Sequence, residues 1–195
     1  SQLELTPELL RAVQDLGSGS RLPEPWTGRA QLRLADLVWR NDRVRGLQAE
    51  MEWPRGRGPD LRQLEANLPG ASSLRWVGTG RGTNELPLAG KIDLQSGELR
   101  RLLTWLGAVP DDLPQGGLTS LDMSAAAGIG PGRFRLDDLR VRLDATELTG
   151  SVTYAADTRP RLDVVLAADR LNVALYADTA PARTAWSKWR DRLQS

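Results

Sequence analysis

Two adjacent carboxylate pairs, Asp111-Asp112 and Asp137-Asp138, are the residues in this chain whose type first suggests general acid–base chemistry. Such chemistry needs two acids converging on one substrate, one giving and one taking a proton. Neighbouring residues in a strand point to opposite faces, so these pairs cannot converge. In loops, such acids cap helices or face water. The stretch Gly78-Thr79-Gly80-Arg81-Gly82 has the glycine density of a phosphate loop. It lacks the Lys-Ser/Thr step and the following helix, which excludes a nucleotide site. Residues 128–132, Gly-Ile-Gly-Pro-Gly, read as a turn.

The chain has no Cys and no His. Zinc sites of the Cys/His kind are excluded. So are Cys nucleophiles and His-dependent triads. No catalytic residue, metal site or cofactor is expected, and the chain does not read as an enzyme.

Formal net charge is +1, from 26 cations against 25 anions, which gives no electrostatic case for nucleic acid. The cations are nearly all Arg, which suits phosphate but also follows from codon bias. Seven Trp stand beside one Phe and two Tyr. Trp186 and Trp189 lie near Lys188 and Arg190 in a helical pattern. A basic helix with Trp suits a membrane interface, and it equally suits packing over a sheet edge.

The elements that must position any site follow from periodicity. With 195 residues the chain reads as a single domain over 1–195, or as sub-units 1–85 and 86–195. At 40% hydrophobic and 26% charged it is globular and not disordered. No stretch approaches the ~20 apolar residues of a membrane-spanning helix. The chain starts at Ser1 without a signal-peptide pattern, as expected of a piece excised from a longer protein.

Helix signals occur three times. Thr6 and Pro7 open the first, Leu9, Val13 and Leu16 share its face, and Gly17 ends it. Ser96 caps the second, with Leu99, Leu102, Leu103 and Leu106 on one face and Gly107 as terminator. Ala182, Ala185, Trp186, Trp189 and Leu193 line the third.

Between the helices lie strands. Leu32 and Leu34, then Leu47, Ala49, Met51 and Trp53, alternate on either side of the polar turn 40–43 and predict a hairpin. Further strands are expected at 61–68, 74–76, 86–94 and 118–127. The cleanest alternation follows: Phe134 and Leu136, Leu139, Val141 and Leu143, Val152 and Tyr154, Leu162, Val164 and Leu166, then Leu171, Val173 and Leu175. Asp157-Thr158-Arg159-Pro160 reads as a hairpin loop. The expected fold class is α+β, mainly β. It is a curved antiparallel sheet with one apolar face forming a partial groove, plus three amphipathic helices. A loose internal repeat joins 35–53 and 130–154.

Residues 88–94, Leu-Ala-Gly-Lys-Ile-Asp-Leu, followed by the leucine-rich 96–107, resemble the AsmA family. So do 134–146 with Gly150, and the run from Arg159-Pro160 through Leu162-Asp163-Val164 to Leu171-Asn172-Val173. The resemblance covers 86–176 well and 26–76 loosely. It implies a periplasmic, Gram-negative cell-envelope protein held in the inner membrane by an anchor outside this chain. It also implies kinship with TamB and with bridge-like lipid-transfer proteins, whose curled sheets carry phospholipid toward the outer membrane. Most members of the family are much longer.

Two functional readings remain open. In the first, phospholipid lies along the apolar face. Its lining would be Leu121, Met123, Leu139, Val141, Leu143, Val152, Tyr154, Leu162, Val164, Leu166, Leu171 and Val173. In the second, those residues are core beneath the helices, and the chain is a structural or assembly module that binds envelope proteins through sheet edges.

Overall fold

The computed structural model describes residues 3–4, 27–55, 59–108, 117–156 and 159–168. Its strands are β1 (Leu3–Glu4), β2 (Gly28–Trp39), β3 (Asp42–Trp53), β4 (Asp60–Leu68), β5 (Ser72–Gly78), β6 (Leu88–Ser96), β7 (Leu121–Gly130), β8 (Arg133–Leu143), β9 (Thr146–Ala155) and β10 (Arg161–Ala168). One helix, α1 (Leu99–Leu106), lies between β6 and β7. The strands follow chain order across one sheet. Nine are antiparallel, and the sheet is curved and unclosed. The short β1 pairs parallel with β2 at Leu37 and Val38, a pairing that no sequence pattern anticipated.

The mainly-β expectation holds, and one of the three expected helices is present. The other two, at 6–17 and 182–193, lie outside the described residues, as does the strand at 171–175. No helix among the described residues is long and apolar enough to cross a membrane.

The predicted hairpin is β2–β3, closed by Arg40 and Asn41 at φ of 49° and 64°. Two successive positive φ values make the tight turn whose twist matches the flanking strands. The 128–132 turn is shorter than expected. Gly128 and Gly130 remain in β7, and only Pro131-Gly132 turns. A strap, residues 79–87, explains those glycines. A Cβ on Gly130 would stand 2.0 Å from the Glu85 carbonyl oxygen, and one on Gly128 would stand 3.0 Å from the Leu86 side chain.

The Asp137-Asp138 pair is a β-bulge. Leu136 pairs with Val152 and Leu139 with Gly150, so β8 spends an extra residue there. Asp138 takes a φ of 49°. The bulge reverses parity, which puts even-numbered Phe134 and Leu136 on the same face as odd-numbered Leu139, Val141 and Leu143. Bulges also bend a strand and increase its twist. Register shifts in β3–β4 do the same near the other edge.

The helix starts differently from expectation. Its N-cap is Glu98 with no side-chain cap, while Ser96 ends β6. The Ser96 hydroxyl is buried instead, 2.8 Å from the Ser72 hydroxyl and 3.2 Å from the Gly70 carbonyl. Gly107 does terminate α1, at a φ of 71°. The buried seam is Leu99, Leu102 and Trp105, whereas Leu106 is exposed. Eight residues are too few to hold a helix alone, so packing must hold it. Leu102 is 1% exposed. It sits in a cluster with Leu37, Val44, Ala66, Leu99 and Trp105.

Candidate functional site

The face the sequence pointed to is built by register. Four rows of paired residues cross the sheet. The first is Ala66, Leu74, Leu94, Met123, Val141, Leu148 and Ala168. The second is Leu64, Trp76, Ile92 and Ala125, resuming after the bulge with Leu139, Gly150 and Leu166. The third is Gly78, Gly90, Ala127, Leu136, Val152 and Val164. The fourth is Leu88, Ile129, Phe134, Tyr154 and Leu162. No charged residue enters any row. Strands stand about 4.8 Å apart, so the first two rows, from β4 to β10, run roughly 29 Å.

The opposite face is charged and paired. Arg75 lies 3.3 Å from Glu65, Lys91 3.1 Å from Asp93, Arg135 2.8 Å from Asp137 and Arg142 2.8 Å from Glu147. Such exposed pairs contribute about 0–1 kcal/mol each, so their main effect is to keep this face wet.

Cover on the apolar face is uneven. At one end α1 closes it, and Leu121 and Leu143 pack against the helix cluster. Those two proposed lining residues are therefore helix-packed positions. Leu139 is 5% exposed, held between its neighbours. Met123, Val141, Val152 and Tyr154 are half-buried. Toward β10 the face opens: Leu162, Val164 and Leu166 are all exposed, Val164 by 47%. Leu171 and Val173 lie outside the described residues. The set expected from sequence thus divides into covered, graded and open members: helix cover ends within β7 and β8, and β10 is open.

Several residues of the face were missed. Leu74, Leu94, Ile92, Leu136, Leu148 and Phe134 belong to the same rows. Their alternation was visible, but which strands pair was not. Trp76 is a special case. It is buried, its indole N–H donates to the Leu61 carbonyl at 2.8 Å, and its ring lies over Gly90. A Cβ on Gly90 would stand 2.6 Å from that ring, so the glycine makes room for the tryptophan. Phe134 and Tyr154 stack at 5.4 Å between centroids and form an aromatic edge to the fourth row.

One carboxylate is unusually well held. Asp144, in the β8–β9 turn, accepts the backbone N–H groups of Leu118, Thr119 and Ser120, each at 2.9 Å, and the Thr119 hydroxyl. Partial burial acts to raise its pKa. The Thr119 hydroxyl and the three N–H groups outweigh that and hold the carboxyl below its ordinary 3.8. The Thr119 carbonyl in turn accepts the Leu99 N–H at the start of α1. The role is structural: Asp144 ties the approach to β7 and the helix start together. Among the described residues no group of His, Cys, Asp and Glu is arranged to hold a metal ion.

Compared with family models, curated proteins and solved structures, the chain matches none.

Proposed function

We propose that this chain is a non-enzymatic lipid-binding module whose apolar sheet face takes phospholipid acyl chains. The observation that supports it is the set of four uncharged rows, covered by α1 at one end and open at β10. An acyl chain needs a long dry surface without directional contacts, and area burial alone stabilises it by about 25 cal/mol per Å². Half of a bilayer's hydrocarbon core, the depth one chain occupies, is about 15 Å. The rows are longer than that. On this reading the apolar face is the concave one, a partial groove. The resemblance to the AsmA family fits the same reading. On this reading the protein works in the periplasm of a Gram-negative cell, associated with the inner membrane, and contributes to lipid transport or outer-membrane assembly.

Native mass spectrometry of the gently purified chain, with lipid extraction alongside, tests this. Phospholipid in defined stoichiometry is expected, and Val164→Asp should remove it without unfolding the chain. An apo mass that takes up no added phospholipid overturns the reading.

A second reading has its own observation. All eight residues of β10 are exposed, and Val165 on the charged face is 69% exposed. An edge strand exposed along its length, without Pro or Lys, is a template for strand addition. Under this reading the chain is an assembly module that pairs with other envelope proteins along β10. Loss of partner capture on replacing Val165 with Pro, with lipid content unchanged, would favour it.

A further inference from the structure

A cleft of about 470 Å³ opens at the end of the sheet where the β2–β3 and β4–β5 turns meet α1. Its floor is the Pro69–Ser73 backbone, and its charged lining is Arg43, Arg45 and Arg101 against the single acid Asp42. Asp42 is already engaged. It accepts the Arg43 backbone N–H at 2.8 Å and the Arg101 guanidinium at 3.3 Å. Arg45 meets Asp36 at 3.8 Å, and its charge also acts on Asp42. The Arg43 guanidinium has no ion-pair partner among the described residues. On the same face Arg75, Lys91, Arg135 and Arg142 each meet a carboxylate within 3.3 Å, whereas Arg140, like Arg43, meets none among the described residues.

The floor is rigid for a turn. Pro69 and Gly70 are buried. The Gly70 carbonyl accepts the Glu98 N–H at 2.9 Å, and a Cβ there would stand 2.6 Å from the Glu98 carbonyl oxygen. The turn is therefore seated on the helix start, and Arg101 projects from that helix over the cleft. Cations from two different elements thus face one polar space with an excess of positive charge.

We propose that this cleft is an anion site that takes a phosphate group, with Arg43 and Arg45 as its direct ligands and Arg101 as a third, shared with Asp42. Planar guanidinium groups match phosphate oxygens two at a time, and the volume suits a small phosphoester. The site lies at the sheet end, with Arg43 and Arg45 from β3 and Arg101 from α1, and its lining includes none of the residues proposed to hold lipid, so it stands or falls independently of lipid on the apolar face.

The test titrates inorganic phosphate into the full chain at constant ionic strength, read by NMR shifts of the Arg Nε–H signals. Saturable one-to-one binding is expected, weakened at least tenfold in the double variant Arg43→Gln, Arg45→Gln. The pair Arg33→Gln, Arg140→Gln serves as control and should leave it unchanged. Both double variants should melt as the parent does, because none of these guanidiniums is buried. A second arm uses vesicles of phosphatidylglycerol against phosphatidylcholine. Phosphate binding with no vesicle binding identifies a soluble phosphoester as ligand. Vesicle binding lost with Arg43 and Arg45 identifies a lipid headgroup. A linear, unsaturating response to phosphate, or one reduced equally by the control pair, overturns the proposal.

Discussion

The Asp144 carboxylate accepts the backbone N–H of Thr119 at 2.9 Å, across 25 residues of chain. That contact closes the crossover from β6 through α1 to β7, because Thr119 also receives the first N–H of the helix. One side chain in a hairpin turn therefore governs how the helix is seated on the sheet.

Replacing Asp144 with Asn tests this. Asn tolerates the positive φ of 53°, so the change isolates the charge. A loss of about 1–2 kcal/mol is expected from weakened charge-assisted bonds at a partly exposed site. The pH sign follows from the direction of the shift. The folded pKa lies below 3.8, so the contribution is complete above that value and is lost as pH falls through the folded pKa. Melting curves of parent and variant should converge in acid and separate above it. A constant gap at all pH values would show that the charge is not the cause.

Gly150 governs whether β10 can pair. Its φ is 157°, and a Cβ would stand 1.9 Å from the Val165 carbonyl oxygen. Gly150→Ala should destabilise by about 1–3 kcal/mol through overpacking. Amide exchange in β10 should accelerate more than in β6, because the clash falls on one strand pair. Uniform acceleration across the sheet would count against that local account.

The two ends of the apolar face should respond oppositely to charge. Val164→Asp places a carboxylate on a half-exposed edge strand and should shift the melt little. Leu139→Asp buries an unpaired charge at a site only 5% exposed, so the cooperative melt should be lost. Equal damage from both substitutions would mean that β10 is covered in solution.

Leu102→Ala removes the most buried large side chain and should cost about 2–5 kcal/mol. Trp105→Phe keeps much of the packing but deletes the indole N–H bond to the Trp39 carbonyl, 2.9 Å long. It should cost less, about 1–2 kcal/mol, with the aromatic contact at 4.9 Å largely retained. Chemical denaturation of both variants checks the order.

The sequence by itself determined which residues share a face within each unbroken run of strand. A pleated backbone turns alternate side chains to opposite sides whatever its neighbours do, so the pattern at Leu139, Val141 and Leu143 needed no tertiary information. It also determined that α1 would end at Gly107, since only a residue free of a Cβ enters that left-handed conformation cheaply. Tertiary structure decided the rest. The Asp137-Asp138 bulge swaps parity, and a bulge is defined only against a partner strand. Ser96 was expected to cap α1, yet it hydrogen-bonds beneath the turn at Gly70, because β5 brings Ser72 beside it. Above all, the division of one alternating pattern into helix-packed Leu143, buried Leu139 and open Val164 depends on where an eight-residue helix lies across the sheet. Alternation places a side chain on a face, but only packing between distant segments decides whether that face meets protein or is left open.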